Sequence, residues 1–196
     1  MVFSIYIYGF SEILARIAAR HPIEQQRWLV WHYTNKTAPN LTFWQRSHES
    51  ILCLWCHERP RLEVDQIREE YTENYQKCIG RVRKGTPSRF GNGKATTYNG
   101  HENGALPRDV IKLPALAGGA GRNERWFMCR TCDSKLYEPK YLHEHEGHDI
   151  LKHPTQKPMA LTKRLIQSGI NSTGSLLIPF AGSGSECVVA QSLNVD

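Results

Sequence analysis

The sequence predicts an α/β fold built on a partial sheet, and three observations carry that expectation. Apolar runs rich in β-branched and aromatic residues occur at "VFSIYIYG", "RWLVWHYT", "ESILCLWC" and "SLLIPF". The first run leads straight into an amphipathic helical pattern, and a second such pattern precedes the last run.

In order along the chain, Val2–Tyr8 reads as the first strand, ending at a glycine. Ser11 can cap a helix that carries Ile13, Leu14, Ile17 and Ala18 on one face, and Pro22 stops it. Trp28–Tyr33 and Ser50–Trp55 are the next strands, separated by the polar loop "NKTAPNLTFWQRSH". From 58 to 152 glycine, proline, asparagine and basic residues dominate and hydrophobic periodicity fades, which suits an inserted, loop-rich subdomain. "HPTQKPMALTKRLIQSGINSTG" then gives a helix with Met159, Leu161, Leu165 and Ile166 facing inward, followed by a strand at Leu176–Ile178.

At 196 residues, with 40% hydrophobic and 22% charged residues, the composition is neither disordered nor membrane-like. No run of eighteen apolar residues occurs, and the N-terminus lacks the basic start and small-residue cleavage site of a signal peptide, so a cytoplasmic protein is expected. Net charge is +6, with the basic residues concentrated between Arg59 and Arg130. Such a segment suits a polyanion such as DNA; a solvated surface is the alternative on charge alone.

Six cysteines in a cytoplasmic chain argue for metal or core roles rather than a disulfide framework. Cys129 and Cys132 with His143 and His148 give C-x2-C-x10-H-x4-H, close to the spacing of a tetrahedral structural Zn2+ site. A loop-rich insert gains most from such a staple. His145 stands as an alternative to His143, and Cys53 or His57 could join; the competing reading is a His-rich surface loop beside two partly buried cysteines. Cys53 and Cys56 lie three apart on a strand, where side chains point to opposite faces, so core cysteine is the better reading, with Cys78 and Cys187 treated alike.

The run "LLIPFAGSGSECVVA" breaks at Gly182 and Gly184 into a turn and then a second apolar segment. Glycines there let backbone approach a ligand closely or take positive φ, and a following helix presents free N–H groups. Alone the pattern is an ordinary tight turn as often as a cofactor loop, and the third glycine of the dinucleotide fingerprint is missing.

Together, "HPTQKP" at 153–158 and "IPFAGSG" at 178–184 resemble the H-P-T-x-K-P and D-P-F-x-G-S-G elements of the DNA amino-methyltransferases acting on adenine N6 or cytosine N4, in their permuted β-type group. "WLVWHYTNKTAPNLTFWQRSHESIL" and "GALPRDVIKLPALAGGAGRNERWF" agree with that family in order and kind. The resemblance implies a Rossmann-like S-adenosylmethionine-dependent fold, with residues 1–57 and 153–196 as a partial catalytic domain and 58–152 as an inserted target-recognition region. Thr155, Lys157, Pro179, Phe180, Gly182, Ser183, Gly184 and Glu186 would then line the S-adenosyl-L-methionine site, and Arg81, Arg83, Lys84, Arg89 and Lys94 would meet the phosphates of double-stranded DNA. A bacterial, archaeal or phage restriction-modification setting goes with the family.

Two departures follow. The family's [DS]-P-P-[YW] element, which grips a flipped base, has no counterpart, because no P-P pair occurs in the chain; the catalytic residues are therefore unassigned. The acidic residue expected to bind the donor ribose beyond the glycine loop is likewise unmatched, Asp196 being a poor candidate. Ile178 also replaces the usual Asp, a role Glu186 could take over. The chain thus reads as an incomplete methyltransferase whose missing element comes from a further segment or a second chain. The alternative is a non-catalytic, zinc-stapled DNA-binding module or subunit.

Overall fold

The computed structural model describes residues 4–9, 11–20, 25–35, 41–55, 62–88, 91–117, 124–132, 135–170 and 174–196. Strand β1 (Ser4–Gly9) runs into helix α1 (Ser11–Arg20), which crosses over to β2 (Gln26–His32), and β3 (His48–Trp55) follows. No helix occurs among the described residues between β2 and β3, and β3 returns antiparallel to both β1 and β2, between them. Val110–Lys112 adds a fourth strand, parallel to β2 on its outer side.

β3 is the centre of the sheet, which is why Ile51, Leu52, Cys53 and Leu54 are all buried rather than alternating. Alternate residues still serve opposite faces. Leu52 and Leu54 pack with Leu14, Ile17 and Ala18 of α1. Ile51 packs on the other face with Trp31, Tyr33, Ile111, Leu161 and Leu165. The expected face of α1 is corrected at one position: Ile13 is 54% exposed, while Leu14 alone of that helix is buried. Ser11 bonds the Ser50 hydroxyl at 2.9 Å. Leu161→Ala should therefore cost about 3 kcal/mol, because its cavity opens among rigid aromatic neighbours, whereas Ile13→Ala should stay within about 0.5 kcal/mol. Urea midpoints of the two variants check both values.

The chain divides into two compact units, Glu63–Arg108 and the remainder. The expected insert, 58–152, has wider limits than this second unit, and residues 109–152 group with the first. The second unit holds α2 (Glu73–Gln76), whose N-terminal Tyr75 N–H donates to Thr72 Oγ1 at 3.4 Å. β4 (Val82–Arg83) pairs with β7 (Thr96–Thr97), and β5 (Pro87–Ser88) with β6 (Gly91–Asn92), forming nested antiparallel ladders. Gly85 has to be glycine here, since a Cβ would fall on the backbone carbonyls of Gly93 and Lys94. Ile67 is this unit's buried hydrophobic side chain among the described residues. Stacked Tyr71 and Tyr75 rings and Tyr98 edge-on to Tyr75 supply the rest of the packing, along with the Arg68 to Gly104 carbonyl bond of 2.9 Å. That polar construction explains the weak periodicity of the sequence.

In the first unit, β8 is the Val110–Lys112 strand already placed. β9 (Phe127–Cys129) is the middle of a small sheet, flanked antiparallel by β10 (Leu136–Tyr137) and β11 (Ile150–Leu151). A 3-10 helix spans Pro139–His145. Helix α3 (Met159–Gly169) buries Leu161, Thr162, Leu165, Ile166 and Ser168, and α4 (Ser185–Ser192) closes the chain. The strand expected at Leu176–Ile178 is not formed. Its backbone has no neighbouring strand among the described residues; Leu176 N–H donates instead to the Asp196 carbonyl at 2.7 Å, and Leu177 is 86% exposed. Cys187 corrects the core expectation as well: α4 buries Ser185, Val189 and Ala190, and Cys187 lies on its opposite, exposed side. Cys53 is buried as expected, and burial pushes its thiol pKa up to about 11. Cys78 is half-buried, and Cys56 and His57 lie outside the described residues. No helix among the described residues is long and apolar enough to cross a membrane.

Candidate functional site

The two sequence elements far apart in the chain meet in space. Ser185 Oγ donates to the Lys157 carbonyl at 3.2 Å, and the place a Cβ would occupy on Gly182 lies 3.6 Å from His153 Nε2. Gly182 and Gly184 take φ of +54° and +78°, conformations that side chains rarely tolerate, so glycine is what lets the loop turn here. The turn closes by Gly184 N–H donating to the Ala181 carbonyl at 2.7 Å. Gly184 is also the N-cap of α4 and no side chain caps that helix, so its first turn offers backbone N–H groups and the positive end of its dipole.

A third segment holds the loop from below. Trp126 Nε1 donates to the Ser183 carbonyl at 2.7 Å, and Trp126 N–H donates to Gln156 Oε1 at 3.3 Å. Gln156 Nε2 donates in turn to the Glu124 carbonyl at 2.8 Å, and the Glu124 carboxylate accepts from Met159 N–H at the start of α3. Residues 124–126 thus tie the H-P-T-Q-K-P element, the glycine loop and α3 into one assembly.

Lys157 points into the sheet. Its ammonium pairs with the Glu49 carboxylate, and it stands 5.3 Å from the Tyr8 ring centre and 5.2 Å from that of Trp31. Burial by itself would raise the Glu49 carboxyl, but hydrogen bonds from Lys157 and Tyr33 outweigh it and hold Glu49 below the usual carboxylate range. Burial pushes the Tyr8 hydroxyl up, and the nearby Glu186 charge adds to that shift. Lys157 is therefore committed to an internal ion pair, while Glu186 stands near Tyr8 in the first turn of α4.

Beside the loop lies a cleft of about 780 Å³ lined by Arg125, Trp126, Phe127, Glu138, Pro139, Lys140, Leu142, Lys152, His153 and Leu116. It falls within the size range of small-molecule sites. Below it, one ligand atom from each of Cys129, Cys132, His145 and His148 lies within 4.8 Å of the others. Cys129, Cys132 and His148 come from the expected set and His145 is its stated alternative to His143, which lies outside this cluster. His143 is exposed, its Nδ1 is 2.7 Å from the Lys140 carbonyl, and its place is taken by His145, which is 6% exposed.

Of the other expected residues, Thr155 is exposed and its N–H donates to His153 Nδ1 at 3.3 Å. Pro179, Phe180 and Gly182 are exposed, Phe180 by 92%, and Ser183, Gly184 and Glu186 are half-buried. Arg81, Arg83, Lys84 and Lys94 are all exposed within the second unit, Arg83 on β4; Arg89 lies outside the described residues. Sequence reasoning missed Trp126, because its partner Ser183 is 57 residues away. Glu49, Gln156 and His153 sat inside recognisable elements, but nothing local showed what each would touch.

No curated protein matches the chain. A family model described as DNA methylase, of the N6/N4 type, matches residues 4–196, a span that takes in both elements joined at the loop, and the chain belongs to that DNA methylase family.

Proposed function

We propose that this chain is the donor-binding and DNA-binding part of an S-adenosyl-L-methionine-dependent methyltransferase acting on the exocyclic amine of adenine or cytosine in DNA, with a Rossmann-like core. The observation that carries the reading is the hydrogen-bonded junction of the H-P-T-Q-K-P element with the glycine loop at Ser185 and Lys157. Its donor set fits the group: a loop free of side chains at Gly182 and Gly184, an uncapped helix N-terminus, and the exposed Phe180 ring available for stacking. S-adenosyl-L-methionine supplies an electrophilic methyl group on a sulfonium.

The residues of the chain have the following work in this reading. Pro179, Phe180, Gly182, Ser183 and Gly184 give the donor a close backbone approach, and Thr155 and Glu186 border it with polar groups. Lys157 acts indirectly, by fixing the H-P-T-Q-K-P backbone through Glu49. Arg81, Arg83, Lys84 and Lys94, with Arg89, make phosphate contacts that orient DNA without reading its sequence.

The grip on the flipped base comes from elsewhere, since no P-P pair is present in these residues. Holding donor and acceptor together is where the rate gain of a direct transfer arises, so half of the machinery gives binding without turnover. The chain alone is accordingly expected to transfer no labelled methyl group to duplex DNA. Addition of a chain bearing a P-P-Y element should restore transfer, and digestion to nucleosides should then report the modified base. DNA affinity should persist in the isolated chain and fall with salt; neutralising Arg81, Arg83 and Lys84 together should lower the slope by about three. Turnover by the chain alone would show that its catalytic residues lie among those present. The absent P-P element equally favours a second reading, a non-catalytic DNA-binding subunit, which predicts the same DNA binding but no donor binding.

A further inference from the structure

We propose that Cys129, Cys132, His145 and His148 hold one structural Zn2+ whose role is to build the wall of the cleft beside the glycine loop. The distances carry the first half. Cys129 Sγ lies 3.5 Å from His148 Nδ1, and Cys132 Sγ lies 3.5 Å from both His145 Nδ1 and His148 Nδ1. Ligands at Zn–S of about 2.3 Å and Zn–N of about 2.0 Å with tetrahedral angles stand about 3.5 Å apart, so the observed spacing is that of a metal's coordination edges. Pairwise thiol–imidazole hydrogen bonds can each reach this distance, but all four ligand atoms lie within 4.8 Å of one another, the closed cluster that a single ion needs. Both histidines also present the same ring atom, Nδ1, toward the thiols. Cys129 is fully buried and His145 nearly so, whereas Cys132 is at the surface, which leaves an entry path. A dithiolate, bis-imidazole set with four protein ligands favours zinc and a closed, structural role.

The second half is what the ligands are attached to. Cys129 ends β9, three residues after Trp126, which holds the Ser183 carbonyl of the glycine loop. His145 ends the 3-10 helix whose Pro139, Lys140 and Leu142 line the cleft. His148 lies just before β11, which pairs with β9 and leads directly to Lys152 and His153, also on the cleft. A bend at Gly147, with φ of +78°, lets His148 turn back toward His145. Short strands of two and three residues have little stability of their own. The metal is what fixes their register, and with it Trp126 and His153. This coupling to the donor rests on the function proposed above; the metal site itself does not.

Metal content and donor binding separate the two. Purified chain should carry about one zinc by elemental analysis, the value for a single four-ligand site. Cobalt(II) exchanged into it should show the intense thiolate charge-transfer and visible bands of a tetrahedral dithiolate site. His143→Ala should leave metal content and spectrum unchanged. His145→Ala should weaken metal affinity at least tenfold in a chelator competition, and Cys129→Ser with Cys132→Ser should remove the metal. Should those variants misfold, the cobalt spectrum of the unaltered chain still decides whether the site is tetrahedral with two thiolates, and His143→Ala, at an exposed position, still tests which histidines bind. Stripping zinc from the unaltered chain should lower S-adenosyl-L-methionine affinity roughly tenfold, with recovery on adding zinc back. A metal-free chain, an octahedral cobalt spectrum or metal retained by the double cysteine variant would overturn the site. A metal-loaded chain that binds donor equally well after stripping would overturn the coupling, and a metal-loaded chain that binds no donor would overturn the functional reading while leaving the site intact.

Discussion

Replacing Lys157 by methionine is expected to cost the fold about 3 kcal/mol, the scale for breaking a largely desolvated ion pair by removing one partner. The side chains of Lys157 and Glu49 are 19% and 25% exposed, and the pair lies against Trp31 and Tyr8, so water cannot replace the lost ammonium easily. Methionine keeps the volume and removes the charge, which isolates the electrostatic loss from a cavity. A double replacement, Lys157→Met with Glu49→Gln, should recover much of the loss because no unpaired carboxylate remains. The pH dependence has a definite sign. Glu49 is held below its ordinary range in the folded chain, so its contribution is present above that range and is lost as pH falls through the folded value. In Lys157→Met the lowering effect of Lys157 is gone, so the Glu49 carboxyl lies above its value in the parent, the group takes up a proton at higher pH than in the parent, and acidification shrinks the gap between variant and parent. Denaturant midpoints measured from neutral pH downward read this directly; a gap independent of pH would show that the pair is not the source of the loss.

Gly184→Val should reduce donor affinity by more than about a hundredfold. Valine at φ of +78° carries a strain of about 1–3 kcal/mol, and the chain can relieve it only by shifting the turn that starts α4. That shift would break the Gly184 bond to the Ala181 carbonyl and move Ser185 away from the Lys157 carbonyl, which are the bonds that set the loop. Gly184→Ala strains the same position but adds less bulk, the nearest atom to its Cβ being Leu136 Cδ1 at 4.0 Å, so its effect should be smaller. α4 itself, anchored by the buried Val189 and Ala190, should persist in both variants, so far-UV circular dichroism should stay near that of the parent.

The hydrophobic sheet was legible in sequence because period and composition agreed: "SIYIYG", "QRWLVWH" and "HESILCLW" are strands, and α3 buries Leu161, Leu165 and Ile166 as the periodicity implies. "SLLIPF" reads equally as a strand, but a strand needs a neighbour to bond to, and local sequence says nothing of neighbours. Leu176 donates to the Asp196 carbonyl instead. The fourth strand, Val110–Lys112, is three residues long and has no periodic signal; it exists because β2 offers it an edge. Similar reasoning applies to the Cys and His cluster. Spacing alone admitted His143 or His145; the ring that lies beside Cys132 is that of His145, held by packing against Phe127 and Tyr137, a tertiary fact that spacing along the chain does not encode. Trp126 and Glu49, which position the loop and Lys157, act across 57 and 108 residues.

The glycine loop of this DNA methylase chain is proposed as the donor site, and isothermal titration with S-adenosyl-L-methionine reads donor binding there without the need for turnover. Saturable one-to-one binding is expected from the chain alone, without DNA or any further protein, with near-complete loss in Gly184→Val under identical conditions. No heat of binding from folded, zinc-loaded parent chain, or equal affinity in parent and Gly184→Val, would contradict it.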